Sequence, residues 1–280
     1  MILGKYWKIL MWLPIIFLLV SVAILGNNIA TKGSFLEKDI DLSGGKVITV
    51  EIGDVDIAKI KAALPYANVK VTTGLTKNLL VEIPFDRNES EVIEYLENEI
   101  HFTGEPGIRV VGPALGDIFF QQAQTSLIFA FIMMAIVVFI LFRSIAPSTI
   151  VLLAVATDII GTMGVLSLLG MPISLPVIGA LLALIGYSVG TDILLTSELL
   201  KSGRTDYGHS VLRAAKTGIT LTLAALVALL AMFLISGSTV IEQIAIVMLI
   251  GLLIDMPATW FTNAGIMRMW MERKHKGGNK

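Results

Sequence analysis

Long runs of apolar residues are the feature that most constrains this chain. They lie at about 9–27, 122–142, 149–169, 174–199, 217–236 and 240–262. Each run approaches the roughly 20 residues that a helix needs to cross a hydrocarbon core about 30 Å thick. Because hydrophobic residues also make up 55% of the sequence, we predict an integral membrane protein with six transmembrane helices.

The distribution of lysine and arginine predicts the orientation of these helices. The N-terminus, the turn that contains Arg143, the loop after the fourth run and the C-terminal tail all carry basic residues, whereas the turns "LLGMPIS" and "ISGSTV" carry none. Short cytoplasmic loops are enriched in Lys and Arg, so we expect a multi-pass protein of the cytoplasmic membrane with both termini cytoplasmic. As an alternative, the first run is a cleaved signal peptide, although it is longer than a usual signal core.

A polar segment between the first and second runs predicts a separate domain. "KVITVEI", "NVKVTT", "NLLVEIP" and "GIRVVG" have strand patterns, and "DVDIAKIKAAL" and "NESEVIEYLENEI" have helical patterns. The order β-α-β-β-α-β predicts a small α+β ferredoxin-like extracytoplasmic domain. The predicted organisation is a first transmembrane helix at 1–27, this domain at 28–117, a five-helix transmembrane bundle at 118–268 and a basic cytoplasmic tail at 269–280.

Several kinds of chemistry find no support in the sequence. The external segment has no phosphate-binding glycine loop, no Ser/His/Asp set and no histidine cluster with metal-ligand spacing. The chain has no cysteine, which excludes disulfides, thiolate catalysis and cysteine-based metal sites. We therefore expect a protein that is not an enzyme and has no cofactor, no metal and no nucleic-acid partner.

Three aspartates lie inside apolar runs, where a charge is unfavourable. An ionised carboxylate near the bilayer centre costs about 3 kcal/mol on insertion scales, so an acid there is a functional candidate. Asp158 lies near the middle of the third run, and Asp192 and Asp255 lie towards the cytoplasmic side of the fourth and sixth. At about 1.5 Å per residue, their depths agree to within roughly two helical turns. They form one polar site if their helices are neighbours.

Other polar residues extend this candidate site. Ser188 precedes Asp192 by four residues and shares its helix face, and Thr191 is next to it. On the fifth run, Thr220 offers a hydroxyl, while Lys216 either reaches the site or snorkels to the headgroups. The structural alternative is that the aspartates are hydrogen-bond acceptors that hold helices together.

The fourth run also carries a stripe of small residues on the face opposite Asp192. These residues recur at helical spacing and are Gly179, Ala183, Gly186 and Gly190. Small residues let the backbones of membrane helices approach closely. A helix with a packing stripe on one face and a carboxylate on the other is predicted to be central in its bundle.

Four motifs, in this order and topology, resemble the SecF family in its archaeal form. They are "DIDLSGGKVITV", "IGYSVGTDILLTSELLKSG", "AAKTGITLTLAALVALLAMFLISG" and "IGLLIDMPATWFTNAGIMRMW". The family is the six-span half of the SecDF protein-export complex and belongs to the resistance-nodulation-division superfamily. The resemblance therefore implies half of such a unit, completed by a six-span SecD-like subunit in a heterodimer.

The resemblance also implies the function. The chain would be an accessory of the SecYE translocon that uses the proton gradient to help a translocating polypeptide across the lipid bilayer or into it. The implied proton-coupling candidates are the residues already named, Asp192, Asp158, Asp255, Lys216, Thr191, Ser188 and Thr220. Two departures from the bacterial pattern concern these residues. The acid after Gly-Tyr-Ser is displaced by one position, about 100° around the helix, and Lys216 replaces an arginine.

Three other functions are compatible with parts of this pattern. A structural assembly subunit would need the same helices but would transfer no proton. Half of a small-molecule or lipid exporter of the same superfamily would share the topology. An intramembrane aspartyl protease would use two membrane acids such as Asp158 and Asp192, but its Tyr-Asp and Gly-x-Gly-Asp contexts are missing.

Overall fold

A computed structural model describes residues 6–53, 55–73, 77–100, 102–202, 207–236 and 238–277. The first membrane helix and the domain that follows it comprise α1 Trp7–Lys32, α2 Ile40–Ser43, β1 Gly45–Ile52, α3 Ile57–Ala63, β2 Asn68–Thr73, β3 Lys77–Ile83, α4 Glu89–Ile100 and β4 Thr103–Val111. The predicted β-α-β-β-α-β order is confirmed. The short helix α2, which precedes β1, was not predicted.

The four strands form an antiparallel sheet in the order β2-β3-β1-β4. Side chains alternate between the two faces of each strand. Ile48 and Val81 on one face pack with Ile60 of α3 and Leu96 of α4 in a fully buried core. The strand order and the two helices on one face are those of a ferredoxin-like domain, as the sequence predicted.

The membrane part consists of α5 Pro113–Phe142, α6 Ile145–Leu168, α7 Leu175–Ser202, α8 Tyr207–Ile235, α9 Thr239–Pro257, a π-helical segment Ala258–Asn263 and α10 Ala264–Gly277. In the described part of the chain, six helical runs are long and apolar enough to cross a membrane. The sixth run continues through the π-helical segment to Arg273, so the helix extends beyond the apolar run at 240–262.

Helices α6 and α7 each pack against several other helices of the bundle. Helix α7 packs against α5, α6, α8 and α9, and α6 packs against α1, α7 and α9. Helix α1 approaches α6 so closely that a Cβ on Gly161 would lie 2.7 Å from Cε1 of Phe17. The central position predicted for α7 agrees with these contacts.

The external domain is attached to the bundle at the turn between α6 and α7. The backbone N–H of Asp39 donates to the carbonyl of Ile173 over 2.8 Å, and the N–H of Ile173 donates to the carbonyl of Glu37 over 2.7 Å. At the opposite end of the bundle, Thr262 donates to the carbonyl of Met11 in the first turns of α1. We call these the domain end and the termini end of the bundle.

Candidate functional site

Three aspartates meet in the centre of the bundle. Asp158 lies on α6, Asp192 on α7 and Asp255 on α9, and their exposed fractions are 0%, 0% and 1%. The sequence predicted that the three acids lie at similar depth, and in the structure their three helices are also neighbours. The three carboxyl groups are joined by hydroxyl and amide side chains into one buried polar cluster.

Two residues of α7 connect the first and third of these acids. The Ser188 hydroxyl donates to Oδ2 of Asp158. The Thr191 hydroxyl lies 3.2 Å from Oδ2 of Asp255 and 2.8 Å from the carbonyl oxygen of Ser188. The structure therefore places both sequence-predicted neighbours of Asp192 in the cluster, and each of them contacts an acid on a different helix.

The π-helical segment supplies the direct partners of Asp192. Thr259 Oγ1 lies 3.0 Å from Oδ1 of Asp192 and 3.2 Å from Oδ1 of Asp255. Nδ2 of Asn263 donates to Oδ1 of Asp192 over 2.6 Å. Short π-helical segments within α-helices are rare and occur frequently at functional sites.

Sequence reasoning missed both Thr259 and Asn263. The predicted sixth span ended at 262, and neither residue carries a charge that would attract attention. A signal was nevertheless present, because Asp255, Thr259 and Asn263 follow one another at intervals of four residues, which places them on one side of a helix.

The bridge through Thr259 has a chemical consequence. A threonine hydroxyl has one proton to donate and lone pairs that accept. If Thr259 donates to Asp192, its contact with Asp255 is a hydrogen bond only when that carboxyl is protonated. A hydroxyl in this position can therefore link a carboxylate to a protonated carboxyl group.

Buried oxygen atoms remain without partners. Oδ1 of Asp158, Oδ2 of Asp192 and Oδ1 of Asn263 are inaccessible and accept no hydrogen bond from the described residues.

No described lysine or arginine forms an ion pair with the three aspartates. The described residues also contain no group of three or more His, Cys, Asp or Glu arranged to hold a metal.

The structure does not bring Lys216 and Thr220 into this cluster. Both side chains are exposed on the outer face of α8, and the Thr220 hydroxyl donates to the carbonyl of Lys216 over 2.6 Å. Gly218 is the α8 residue that faces inward, since a Cβ there would lie 2.5 Å from Cζ2 of Trp260. Lys216 and Thr220 lie two residues on either side of it, about 200° away, and therefore point outward.

The small-residue stripe of α7 lies on the surface of this chain. Gly179, Ala183, Gly186 and Gly190 are all exposed. A Cβ added at any of the three glycines would meet no atom within 4 Å. No described helix of this chain therefore packs on the stripe, although Asp192, on the opposite face, is buried.

Similarity to known sequences places the chain in a family. The profile of the protein export membrane protein SecD/SecF C-terminal family matches residues 94–273. SecF of Methanothermobacter thermautotrophicus is 36% identical over 247 residues, which cover 85% of each chain. This chain belongs to the SecF family. SecF of Pyrococcus furiosus, 34% identical, matches 95% of this chain and 92% of its own length.

A solved structure shows the same fold. The crystal structure of SecDF, a translocon-associated membrane protein from Thermus thermophilus, matches 96% of this chain with a TM-score of 0.76 at 20% sequence identity. This SecF-family chain spans 38% of that SecDF chain. The chain described here is a multi-pass protein-export membrane protein. The solved SecDF chain is substantially longer than the part matched here.

Proposed function

We propose that this chain is one subunit of a heterodimeric accessory of the SecYE translocon that uses the proton gradient to promote protein export or membrane insertion. Asp192 takes up and releases the proton, and Asp158 and Asp255 share it. The termini end faces the cytoplasm, because short loops rich in Lys and Arg lie there. The observation that carries the proposal is the buried cluster of three carboxyl groups, which form no ion pair with any basic side chain that the structure describes.

The energy available matches this role. One elementary charge that crosses a membrane potential of 100 mV releases about 2.3 kcal/mol. A carboxyl group that is charged in one state and neutral in another changes its hydrogen bonds with Thr259 and Thr191. Because those residues lie on the π-helical segment and on α7, protonation alters the packing of α7 against α9.

The structure offers a route from this packing change to the external domain. Helix α7 begins beside Ile173, whose backbone pairs with the segment that leads into the domain. Ser174 at the same end donates to Oε1 of Gln243 in α9 over 2.7 Å. A shift of α7 relative to α9 is therefore transmitted to the attachment point of the domain, which moves against the translocating polypeptide.

The second subunit is a SecD-like six-span chain. The exposed small-residue stripe of α7 supports this part of the proposal, because such stripes let a neighbouring membrane helix approach closely. The match to 38% of the SecDF chain agrees with a half-unit that another chain completes.

The decisive variant is Asp192→Asn. The asparagine carbonyl oxygen can still accept hydrogen bonds from Asn263 and Thr259, so the fold and the partner complex should persist, but the side chain cannot titrate. Export of a secreted reporter into energised membrane vesicles, with and without an uncoupler, should lose its gradient-dependent stimulation. Asp117→Asn, an exposed acid on α5, is the matched control and should retain full stimulation.

The competing function is a structural subunit that carries no proton. The hydrogen bonds that Asp192 accepts from Asn263 and Thr259 favour the structural function specifically, because they connect α7 with the sixth span. A structural acceptor tolerates asparagine, because a neutral amide is less costly to bury than a carboxylate. Full uncoupler-sensitive export by Asp192→Asn, with the complex present in normal amount, would therefore select the structural function.

A further inference from the structure

An apolar groove lies between α1 and the end of α9 on the outer surface of the bundle. Helix α1 packs against α6, the π-helical segment and α10. Beside α9 it leaves a groove of about 430 Å³, in which every lining residue is apolar. The walls include Ile16, Phe17 and Val20 of α1 and Leu253 and Ile254 of α9. Such a groove suits a hydrocarbon chain and offers no group that would bind a polar ligand.

Helix α6 forms the floor of this groove, at a position that has no side chain. A Cβ on Gly161 would lie 2.7 Å from Cε1 of Phe17 and 3.3 Å from Cγ2 of Ile254. The side chains of Phe17 and Ile254 therefore both reach the backbone of α6. Val20 and Leu253, in contrast, are 50% and 58% exposed and form the rim. The groove is thus backed by protein and open on its outer side.

A second cavity, of about 370 Å³, lies between α1 and α10 at the termini end. Its walls include Lys8 and Trp12 of α1 and Glu272 and Arg273 of α10. Nε of Arg268 donates to Oε1 of Glu272 over 3.1 Å, so the acid has a basic partner. Lys8 and Arg273 are exposed and form no ion pair with any other residue that the structure describes. We call this the basic cavity, because these two side chains give it a net positive charge.

One face of α1 lines both the groove and the basic cavity. Lys8, Trp12, Ile16 and Val20 follow one another at intervals of four residues, and all four are exposed. The helix rise from Lys8 to Val20 is about 18 Å, and half of a hydrocarbon core is about 15 Å thick. Tryptophan is enriched at the level of the headgroups, where Trp12 separates the basic end from the apolar end. The two spaces together therefore match the depth of one leaflet.

We propose that the groove and the basic cavity together bind one membrane lipid with an anionic headgroup, from the leaflet at the termini end. The headgroup lies between Lys8 and Arg273, and an acyl chain follows Ile16 and Val20 into the groove. Charge complementarity identifies this occupant, because basic pockets between membrane helices bind anionic headgroups. A zwitterionic lipid would add its own cation to a cavity that already has a net positive charge. The site lies outside the acid cluster and does not depend on proton transfer.

Native mass spectrometry of the purified protein tests the headgroup, with phosphatidylglycerol as the anionic probe and phosphatidylcholine as the zwitterionic one. A basic residue near an anionic lipid contributes about 1 kcal/mol, and 1.4 kcal/mol corresponds to a factor of ten. Lys8→Gln/Arg273→Gln should therefore bind phosphatidylglycerol about 30-fold more weakly and phosphatidylcholine as before. The matched control is Arg143→Gln/Lys201→Gln, which neutralises two exposed basic residues at the same end of the bundle and should bind both lipids as the natural chain does.

The apolar groove is tested separately. Ile16→Trp places a large ring in the groove and should weaken binding of phosphatidylglycerol, whereas Leu19→Trp, on an exposed position of α1 that does not line the groove, should not. A phosphatidylglycerol that carries a photoreactive diazirine in its acyl chain should label Val20 and Leu253 more strongly than the zwitterionic analogue does. At Val227, which is exposed on α8 outside the groove, the two probes should label equally.

Three results would overturn the proposal. The first is equal binding of the two lipids by the natural chain, and the second is unchanged binding of phosphatidylglycerol by Lys8→Gln/Arg273→Gln. The third is an Ile16→Trp variant that keeps its lipid but no longer co-purifies with a partner subunit, which would show that a helix of another chain occupies the groove. None of these variants alters the acid cluster, so their outcomes leave the test of Asp192 unaffected.

Discussion

Gly251 of α9 is the position where the addition of one methyl group should disturb the bundle most informatively. A Cβ at this residue would lie 2.4 Å and 2.7 Å from the two Cδ atoms of Leu184. Contacts shorter than about 3 Å force something to move, and Leu184 is fully buried, so its methyl groups cannot turn into free space. Overpacking of this kind costs about 1–3 kcal/mol, and we expect Gly251→Ala to lower the free energy of unfolding by that amount.

A compensating variant isolates the contact. Leu184→Ala alone should cost about 2 kcal/mol, the lower end of the range for buried leucines. The reason is that unfolded helices remain in lipid, where lost packing contributes but transfer to water does not. In the double variant, the new Cβ occupies part of the vacated space. The combined cost should therefore fall below the sum by about 1–2 kcal/mol, as is usual for residues in contact.

The assay is reversible unfolding in mixed micelles with increasing sodium dodecyl sulfate, followed by tryptophan fluorescence. Trp260 is buried against Gly218 and reports the loss of packing. Gly186→Ala is the matched control because its Cβ would meet no atom within 4 Å, and its effect should stay within about 0.5 kcal/mol. Strict additivity of the two single variants, or a neutral Gly251→Ala, would refute the argument.

Two further predictions concern the surface of the bundle and the external domain. Gly186→Leu should weaken pairing with the SecD-like subunit because it fills the open stripe of α7, and undiminished co-purification would show that the contact face lies elsewhere. Burial, and then the nearby charge of Asp39, raises the pKa of Glu82 above its ordinary 4.5. Protonation of Glu82 therefore stabilises the folded domain below about pH 4.5, and this stabilisation is lost as the pH rises through the raised pKa of the folded state. Carboxyl-carbon NMR should give a midpoint above 4.5 that Asp39→Asn lowers, and a wild-type midpoint at or below 4.5 would contradict the burial argument.

Most of the fold was predictable because its signals are local. Apolar runs of membrane length identify the six spans, and strand alternation such as that of β1 identifies the external sheet. The ends of the helices were less predictable. Helix α5 begins at Pro113 and α8 at Tyr207, well before their apolar runs, because hydropathy reports where a helix leaves lipid and not where its hydrogen bonds stop.

The depth of the candidate site in the membrane was predictable, but the direction in which the side chains of each helix point was not. Counting residues places Asp158, Asp192 and Asp255 within roughly two helical turns of one another in depth, and the structure brings them together. The same counting admitted Lys216 and Thr220, which face outward. The face of α8 that points inward is set by the packing of Gly218 on Trp260. That contact joins two distant parts of the chain, so no local pattern reveals it.

The π-helical segment shows why the partners of Asp192 required tertiary information. Pro257 has no N–H, so the carbonyl four residues earlier loses its usual donor, and the helix must kink, end or widen there. The proline in the sequence predicts that the helix is irregular there but not which of these three forms it takes. In the structure the helix widens there, Trp260 packs over Gly218, and Thr259 and Asn263 reach Asp192. These contacts join residues that lie far apart in the sequence, so the form of the irregular segment and the partners of Asp192 could not be predicted from the local pattern.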